Sequence, residues 1–331
     1  MRYFTPFTLA STLCLLALLG CMQTDDEVTV ILDEIAFVGL TSVADGVDSF
    51  RGIPFAKPPI GPLRWKPPQS WVANQDTFSA KSFASACMQT PHIVDWYRDV
   101  ISGFGGDPGS FPAPEMSEDC LYLNIWRPSK SSAADLPVMV YIHGGSNKGG
   151  WSFEPNYFGH NLAKKDVIVV GISYRLGVFG FFSHPLLHET NFGLSDQVMA
   201  LEWIQEHIQN FGGDPANVTI MGESLGADHV AYLLASPLGE GLFRRAILQS
   251  GGSSMTNGVI RPEHLRRGEL FSQQIFGEDR DNVIDLLRKM PAREILQQSE
   301  SVYEDHYFES VIDGNVVTST LIDAVRNTQI H

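Results

Sequence analysis

The chain has 331 residues, which is enough for one large domain or two of average size. Apolar residues make up 44% of it and charged residues 18%, so a sizeable core can form and wholesale disorder is excluded. The formal net charge of −15 argues against a basic surface that binds nucleic acid or anionic lipid headgroups.

Residues 1–21 have the pattern of an export signal, because one early positive charge, Arg2, precedes a mostly apolar run. The ending Leu18-Leu19-Gly20-Cys21 resembles a bacterial lipobox, in which Cys21 would become the lipidated N-terminus. An ordinary cleaved signal and an uncleaved anchor are the alternatives. We therefore expect an exported protein, either a membrane-anchored lipoprotein or a periplasmic or secreted protein. No later stretch reaches the ~20 apolar residues of a membrane span.

The next part of the chain carries few regular patterns. Residues 22–34 are polar and acidic and predict a tether. Residues 50–71 are rich in proline, which breaks helix interiors, and predict an irregular packed chain. Residues 98–117 are rich in glycine and proline and predict a long loop. Leu121–Trp126 alternates polar and apolar residues, which predicts a strand.

Continuous apolar runs then alternate with a helical pattern. Pro137–Ile142 and Asp166–Tyr174 predict buried strands. Ser195–Gln209 has apolar residues at helical spacing and predicts an amphipathic helix. Phe243–Gln249 predicts a further strand, and residues 262–310 predict helices. This alternation is typical of an α/β protein with a mainly parallel sheet covered by helices.

The segment 218–235 combines a strand, a tight turn and a helix. The β-branched and apolar run Val218–Met221 is followed by Gly222-Glu223-Ser224-Leu225-Gly226 and then by Ala227–Ala235. In this context a G-x-S-x-G sequence indicates a nucleophile elbow, which exposes the serine at the end of the strand. The free N–H groups and positive dipole end of the helix suit an oxyanion. An ordinary glycine turn is the alternative.

Two of the four cysteines, Cys14 and Cys21, belong to the signal. Cys87 and Cys120 remain, and an even pair in an exported chain is typical of a disulfide. Two reduced, buried thiols are the alternative.

Further motifs occur in a fixed order along the chain. They are Phe50–Ala56, Ser117–Trp126, Tyr141–Gly145, Ser173–Gly180, Asn191–Gln197, Asn210–Pro215, Gly222–Gly226, Ile247–Gly251 and Val311–Gly314. With these motifs the chain resembles the type-B carboxylesterases, the α/β-hydrolase group that includes the cholinesterases. The resemblance implies an α/β-hydrolase fold of which residues 22–331 form the N-terminal two-thirds. The central sheet would then be incomplete at its C-terminal strands.

The resemblance implies hydrolysis of small-molecule carboxylic esters through an acyl-enzyme, with Ser224 as the nucleophile. It implies neither a metal nor a cofactor, and contact with a membrane only through the N-terminal anchor. By motif position, the backbone N–H groups of Gly145, Ser146 and Leu225 would form the oxyanion hole. Ser146 stands where the family has a third glycine, and Leu225 stands where alanine is usual. The side chain of Ser146 restricts the backbone at this point.

The resemblance also implies three contacts that hold the fold. Cys87 and Cys120 match the family's first disulfide, which closes a loop at one lip of the active-site gorge. Two buried ion pairs match as well, and four solvated surface charges are the alternative to them. The pairs are Arg64 with Glu118 and Arg175 with Asp196.

The triad order of this fold is serine, acid, histidine. In the family the acid follows the strand after the I-D-G motif, which is Ile312-Asp313-Gly314 here, and the histidine comes later still. We therefore predict a C-terminally truncated chain that lacks both residues and is inactive or weakly active alone. His306 and His331 are the candidates for a local substitute histidine. A non-catalytic binding or adhesion protein on the same fold is the alternative function.

Overall fold

A computed structural model describes residues 26–42, 44–130, 135–252, 255, 259–277, 280–303 and 308–330. The predicted export signal with Cys21 lies outside these ranges, and so do His306 and His331. Within the described ranges, no helix combines the length and the apolar character needed to span a bilayer.

The regular elements alternate along most of the chain. The strands are β1 (Asp26–Leu32), β2 (Ile35–Ser42), β3 (Val47–Pro54), β4 (Thr77–Ser79), β5 (Ala86–Cys87), β6 (Met116–Ser117), β7 (Tyr122–Pro128), β8 (Leu136–Ile142), β9 (Ile168–Ile172), β10 (Gly213–Glu223), β11 (Arg245–Gln249), β12 (Val259–Ile260) and β13 (Val311–Ile312). The α-helices are α1 (His92–Gly103), α2 (His160–Ala163), α3 (Gly177–Gly180), α4 (Phe192–His207), α5 (Leu225–Ala235), α6 (Arg261–Phe276), α7 (Val283–Lys289), α8 (Ala292–Tyr303) and α9 (Leu321–Arg326). Short 3-10 helices cover Gly61–Leu63, Pro108–Ser110, Pro155–Tyr157, Ile208–Phe211 and Pro237–Gly239.

The central sheet has the strand order β1-β2-β3-β7-β9-β8-β10-β11, and β4 pairs with β2. The adjacent strands β9, β8, β10 and β11 are parallel to one another, as the continuous apolar runs predict. Val140 of β8 lies opposite Val170 of β9 on one side and Ile220 of β10 on the other. All three of these side chains are fully buried, which is typical of parallel strands covered on both faces. The predicted α/β-hydrolase sheet is therefore confirmed.

The N-terminal half of the sheet corrects two predictions. Residues 22–34 were expected to be a tether, but Asp26–Leu32 forms β1, which pairs antiparallel with β2. Residues 50–71 were expected to be irregular, but their first residues belong to β3, which pairs antiparallel with β2 and β7. These strands carry polar side chains among apolar ones, and neighbouring strands far along the chain supply their hydrogen bonds.

The segment 98–117 corrects a third prediction. Its first residues belong to α1, and only the remainder forms a loop. Val94 and Tyr97 on one face of α1 are buried, and the Tyr97 ring stacks on Phe111 at 4.4 Å. The disulfide between Cys87 and Cys120 closes this segment at its base, with a Cα–Cα distance of 5.0 Å. Helix α1 is thereby fixed to the body of the protein at both ends of the loop.

Both arginine–carboxylate pairs are present; Arg175 with Asp196 is fully buried, and Glu118 of the other pair is 11% exposed. Arg64 donates from Nε and Nη2 to the two Glu118 oxygens, each at 2.6 Å. Arg175 donates to the two Asp196 oxygens at 2.8 and 2.7 Å, and its backbone N–H donates to the same carboxylate at 3.0 Å. Nη1 of each guanidinium also donates to a backbone carbonyl oxygen, so each of its three nitrogens has a partner.

Strand β11 is an edge strand of the sheet formed by the described residues. Ile247 is 37% exposed, and Ala246 and Leu248 are only half-buried. An apolar run of this kind in a parallel sheet normally has neighbours on both faces and both edges. The edge at β11 therefore presents apolar surface and unpaired backbone groups.

Candidate active site

Ser224 lies alone between the end of β10 and the first residue of α5. Its backbone has φ 54° and ψ −126°, a conformation that a non-glycine residue adopts only under constraint. The Ser224 N–H donates to the Gln249 carbonyl at the end of β11 at 2.8 Å, which fixes one side of the turn. The side chain is half-buried, so the hydroxyl is held at the carboxyl ends of the parallel strands.

The two glycines of the G-x-S-x-G sequence are required by close backbone contacts. A Cβ on Gly222 would overlap the carbonyl oxygen of Gly226. A Cβ on Gly226 would overlap the carbonyl oxygen of Ile142, at the end of β8. The elbow therefore packs directly against the end of the neighbouring strand, as the sequence context predicts.

The turn that follows β8 comes close to Ser224. A Cβ built on Gly144 would lie 3.0 Å from the Ser224 Cβ and 2.6 Å from the Glu223 carbonyl oxygen. Gly145 has φ 101°, and its carbonyl accepts hydrogen bonds from Lys148 N at 2.9 Å and Gly149 N at 3.1 Å. The H-G-G turn and the elbow are thus brought together, as their motif positions imply.

The turn continues through two non-glycine residues in the left-handed region. Ser146 has φ 57° and Asn147 has φ 54°. This conformation costs an L-residue roughly 1–2 kcal/mol, less for asparagine. Asn147 is fully buried; its side-chain Nδ2 donates to the Phe308 carbonyl at 2.6 Å, and its backbone carbonyl accepts from Gly177 N at 2.7 Å. These contacts hold the strained turn in place.

Two residues that fix the turn were not predicted from the sequence. Asn147 had no predicted role, and its partner Phe308 is 161 residues away. Gln89 accepts from Gly150 N at 2.8 Å and donates to the Gly150 carbonyl at 2.9 Å, which connects the disulfide segment to the turn. A buried polar side chain shows its partner only in the fold, so no signal in the sequence identified these contacts.

Two buried histidines lie near this turn. The His143 ring stacks on Tyr174 at 4.4 Å, and the Tyr174 hydroxyl donates to the His143 carbonyl at 2.7 Å. The His229 ring contacts Gln197 through Nδ1 at 2.7 Å. Burial disfavours the charged imidazole, so it lowers the pKa of His143 to about 4 and that of His229 to about 3.

We expect these two histidines to make the protein less stable as the pH falls from about 6.5 towards 4. In the unfolded chain each imidazole has a pKa of about 6.5 and takes up a proton that the folded protein excludes. The contribution of each histidine to the free energy of unfolding is therefore fully present above pH 6.5. Between the unfolded and the folded pKa it falls by about 1.4 kcal/mol for each unit that the pH decreases. Urea unfolding between pH 7 and pH 4.5 measures this slope.

The His229→Gln variant should show a smaller slope than the unmodified chain. The exposed His92 gives the matched control, because His92→Gln leaves both buried rings in place. An unchanged slope in His229→Gln would show that His229 does not contribute to the pH dependence of stability.

No histidine is hydrogen-bonded to the Ser224 hydroxyl within the part of the chain that the structure describes. Glu223 approaches the turn as well, since its Oε2 would lie 3.2 Å from a Cβ on Gly144. The described residues also contain no cluster of three or more His, Cys, Asp and Glu side chains that could hold a metal ion.

Clefts lie on two sides of the molecule. One of about 530 Å³ adjoins the turn and is lined by residues that include Gln89, Lys148 and Phe308. A larger one of about 680 Å³ lies between the Trp71 segment and α4, and none of its lining residues belongs to the elbow or to the turn. The first cleft meets the turn at Lys148, but Ser224 does not line either cleft, so neither is assigned to the substrate.

Comparisons with known proteins agree with this geometry. The Carboxylesterase family matches residues 38–331. Fumonisin B1 esterase of Sphingopyxis macrogoltabida is 35% identical over 319 residues, which are 91% of this chain and 54% of that protein. Para-nitrobenzyl esterase of Bacillus subtilis (strain 168) is 39% identical over 262 residues, which are 78% of this chain and 50% of that protein.

The fold is also similar to solved structures. A PNB esterase structure aligns with a TM-score of 0.80 and 32% identity, over 90% of this chain and 60% of that one. The chain spans about half the length of the curated relatives that it matches.

Proposed function

Because this chain belongs to the carboxylesterase family, we propose that it supplies the nucleophile and the oxyanion site of a carboxylic ester hydrolase. The strained elbow at Ser224 carries this proposal, since it exposes a hydroxyl beside the H-G-G turn at the carboxyl ends of parallel strands. Ser224 attacks the ester carbonyl and forms an acyl-enzyme, which divides one difficult step into two easier ones. Its substrate is a small-molecule carboxylic ester.

The backbone N–H groups of Gly145, Ser146 and Leu225 stabilise the tetrahedral oxyanion. Leu225 is the first residue of α5, so its N–H is among those at the helix start without a partner inside the helix. Gly145 and Ser146 belong to the turn that approaches Ser224. Losing one such donor typically lowers the rate by about 10²–10³.

The acid and the histidine of the triad come from outside residues 1–331. The absence of a described histidine bonded to Ser224 supports this, and so does the greater length of the relatives. Without a base the hydroxyl of Ser224 stays unactivated, so residues 1–331 alone are inactive or weakly active.

Export and lipidation at Cys21 also remain a proposal, supported by the lipobox-like ending of the apolar N-terminal run. Labelling of cells with radioactive palmitate tests it, because the chain should take up the label and the Cys21→Ser variant should not.

The experiment that tests the catalytic proposal is a chimera. Residues 1–331 are joined to the part of the Bacillus subtilis para-nitrobenzyl esterase that lies beyond the matched region. We expect the chimera to hydrolyse p-nitrophenyl esters and Ser224→Ala to abolish the reaction. A folded chimera that is inert, or that keeps its rate in Ser224→Ala, would favour a binding protein on the same fold.

A further inference from the structure

The outer face of α1 carries a stripe of exposed apolar side chains. Trp96, Val100 and Phe104 follow one another at intervals of four residues, so they lie on one side of the helix. They are 52%, 36% and 92% exposed. Phe104 is the C-cap residue directly after α1. Glycines at 103, 105 and 106 flank it, so its ring projects from the surface.

The stripe is used only in part for packing within the protein, since the Trp96 ring meets the Tyr97 ring edge-on with 5.0 Å between the centroids. The adjacent face of the helix is buried through Val94 and Tyr97, and the Tyr97 hydroxyl donates to Glu154 at 2.8 Å. The stripe is separate from β11, whose exposure belongs to the edge of the sheet. Exposed apolar side chains that are grouped on a fixed helix indicate an interaction surface.

We propose that the stripe Trp96-Val100-Phe104 docks on an uncharged lipid surface. Tryptophan and phenylalanine are the side chains that amphipathic helices insert at a membrane interface. Three neighbouring side chains are few for a protein interface, which takes about 20–30 residues a side. A projecting ring at the end of a helix is sufficient to enter the interfacial layer of a bilayer.

The charges beside the stripe decide which lipid surface fits. Asp95 and Asp99 lie beside the stripe on α1, and Asp107 comes three residues after Phe104. Arg98 is the single basic side chain of α1, and it lies 4.0 Å from Asp95. With a net charge of −15 on the whole chain, an anionic membrane repels this face, whereas zwitterionic headgroups do not.

The stripe belongs to the same helix that adjoins the proposed site. Ile93, in the first turn of α1, has its Cγ1 3.1 Å from the position of a Cβ on Gly145. Thr90 donates to the Lys148 carbonyl at 3.1 Å. If the proposed ester hydrolysis holds, docking would place the mouth of the site at the lipid surface, where apolar esters dissolve. The docking itself does not depend on activity.

The test measures binding of residues 22–331 to phosphatidylcholine vesicles by co-sedimentation, so that neither the apolar N-terminal run nor a lipid on Cys21 contributes. Hydrogen exchange with and without vesicles shows which residues are covered. We expect protection across residues 92–106, and weaker binding when phosphatidylglycerol is mixed in. Replacing one buried aromatic anchor should weaken binding on the order of tenfold, so Trp96→Ser/Phe104→Ser should nearly abolish it.

The matched control is Val72→Ser, because Val72 is 72% exposed and lies outside α1. It should bind as the unmodified chain does. Unchanged exchange at residues 92–106, or equal binding of the double variant, overturns the proposal. Sedimentation without lipid tests self-association. If the unmodified chain self-associates and Trp96→Ser/Phe104→Ser does not, the stripe binds a second copy of the chain, and the lipid proposal is overturned as well.

Discussion

Purified residues 22–331 should hydrolyse short-chain aryl esters such as p-nitrophenyl butyrate at no more than a trace rate. Ser224 must lose a proton as it attacks, and the leaving alkoxide must gain one. A histidine oriented by a carboxylate performs both transfers in this mechanism. Nδ1 of His143 contacts the Gly144 carbonyl and Nδ1 of His229 contacts Gln197, and neither of these contacts involves the Ser224 hydroxyl.

The residual rate should depend little on the nucleophile. In comparable systems, oxyanion donors and binding alone leave about 10³–10⁴-fold over water. The measurement is the initial rate of ester hydrolysis beside the Ser224→Ala variant, with equal protein concentrations and a buffer blank. Fast turnover that Ser224→Ala abolishes would show that a base exists within these residues. His306, which lies outside the described residues, would then be the first histidine to replace.

The sequence predicts the part of the site that depends on local geometry. The G-x-S-x-G turn requires glycine at 222 and 226, because a Cβ at either position would overlap neighbouring backbone. The four parallel strands are predicted by continuous apolar runs. Helix α1 was missed although Ile93, Val94 and Tyr97 repeat at helical spacing. Because glycines and prolines follow this helix, the loop was predicted to begin at residue 98, within α1.

Features that depend on distant partners could not be predicted in the same way. Strand β1 begins with two acidic residues, which favoured the tether prediction, although Val28–Leu32 is β-branched and apolar; β2 supplies its backbone hydrogen bonds. The anchoring of Asn147 to Phe308 requires a close approach of segments that the sequence does not relate. The ion pair of Arg175 with Asp196 was available only through the family resemblance, because neither charge has a local signal of burial.

We expect Arg175→Met to lower the free energy of unfolding by about 3–5 kcal/mol, because it leaves the Asp196 carboxylate buried without its cation. Asp196 is 0% exposed, and Arg175 is 3% exposed. The two groups share a bidentate contact at 2.7 and 2.8 Å, and water cannot replace it in this interior. Methionine retains most of the apolar volume of the arginine stem, so the loss reports mainly on the unpaired charge.

The matched control for Arg175→Met is Arg326→Met. Arg326 lies 3.6 Å from Asp323, but the two side chains are 71% and 51% exposed. An exposed pair contributes at most about 1 kcal/mol because solvent screens it. Urea unfolding of the two variants and the unmodified chain, followed by circular dichroism, measures both effects in one experiment. Equal midpoints for the two variants would show that the buried pair contributes no more than a surface pair, and that Asp196 reaches another partner or a proton once Arg175 is gone.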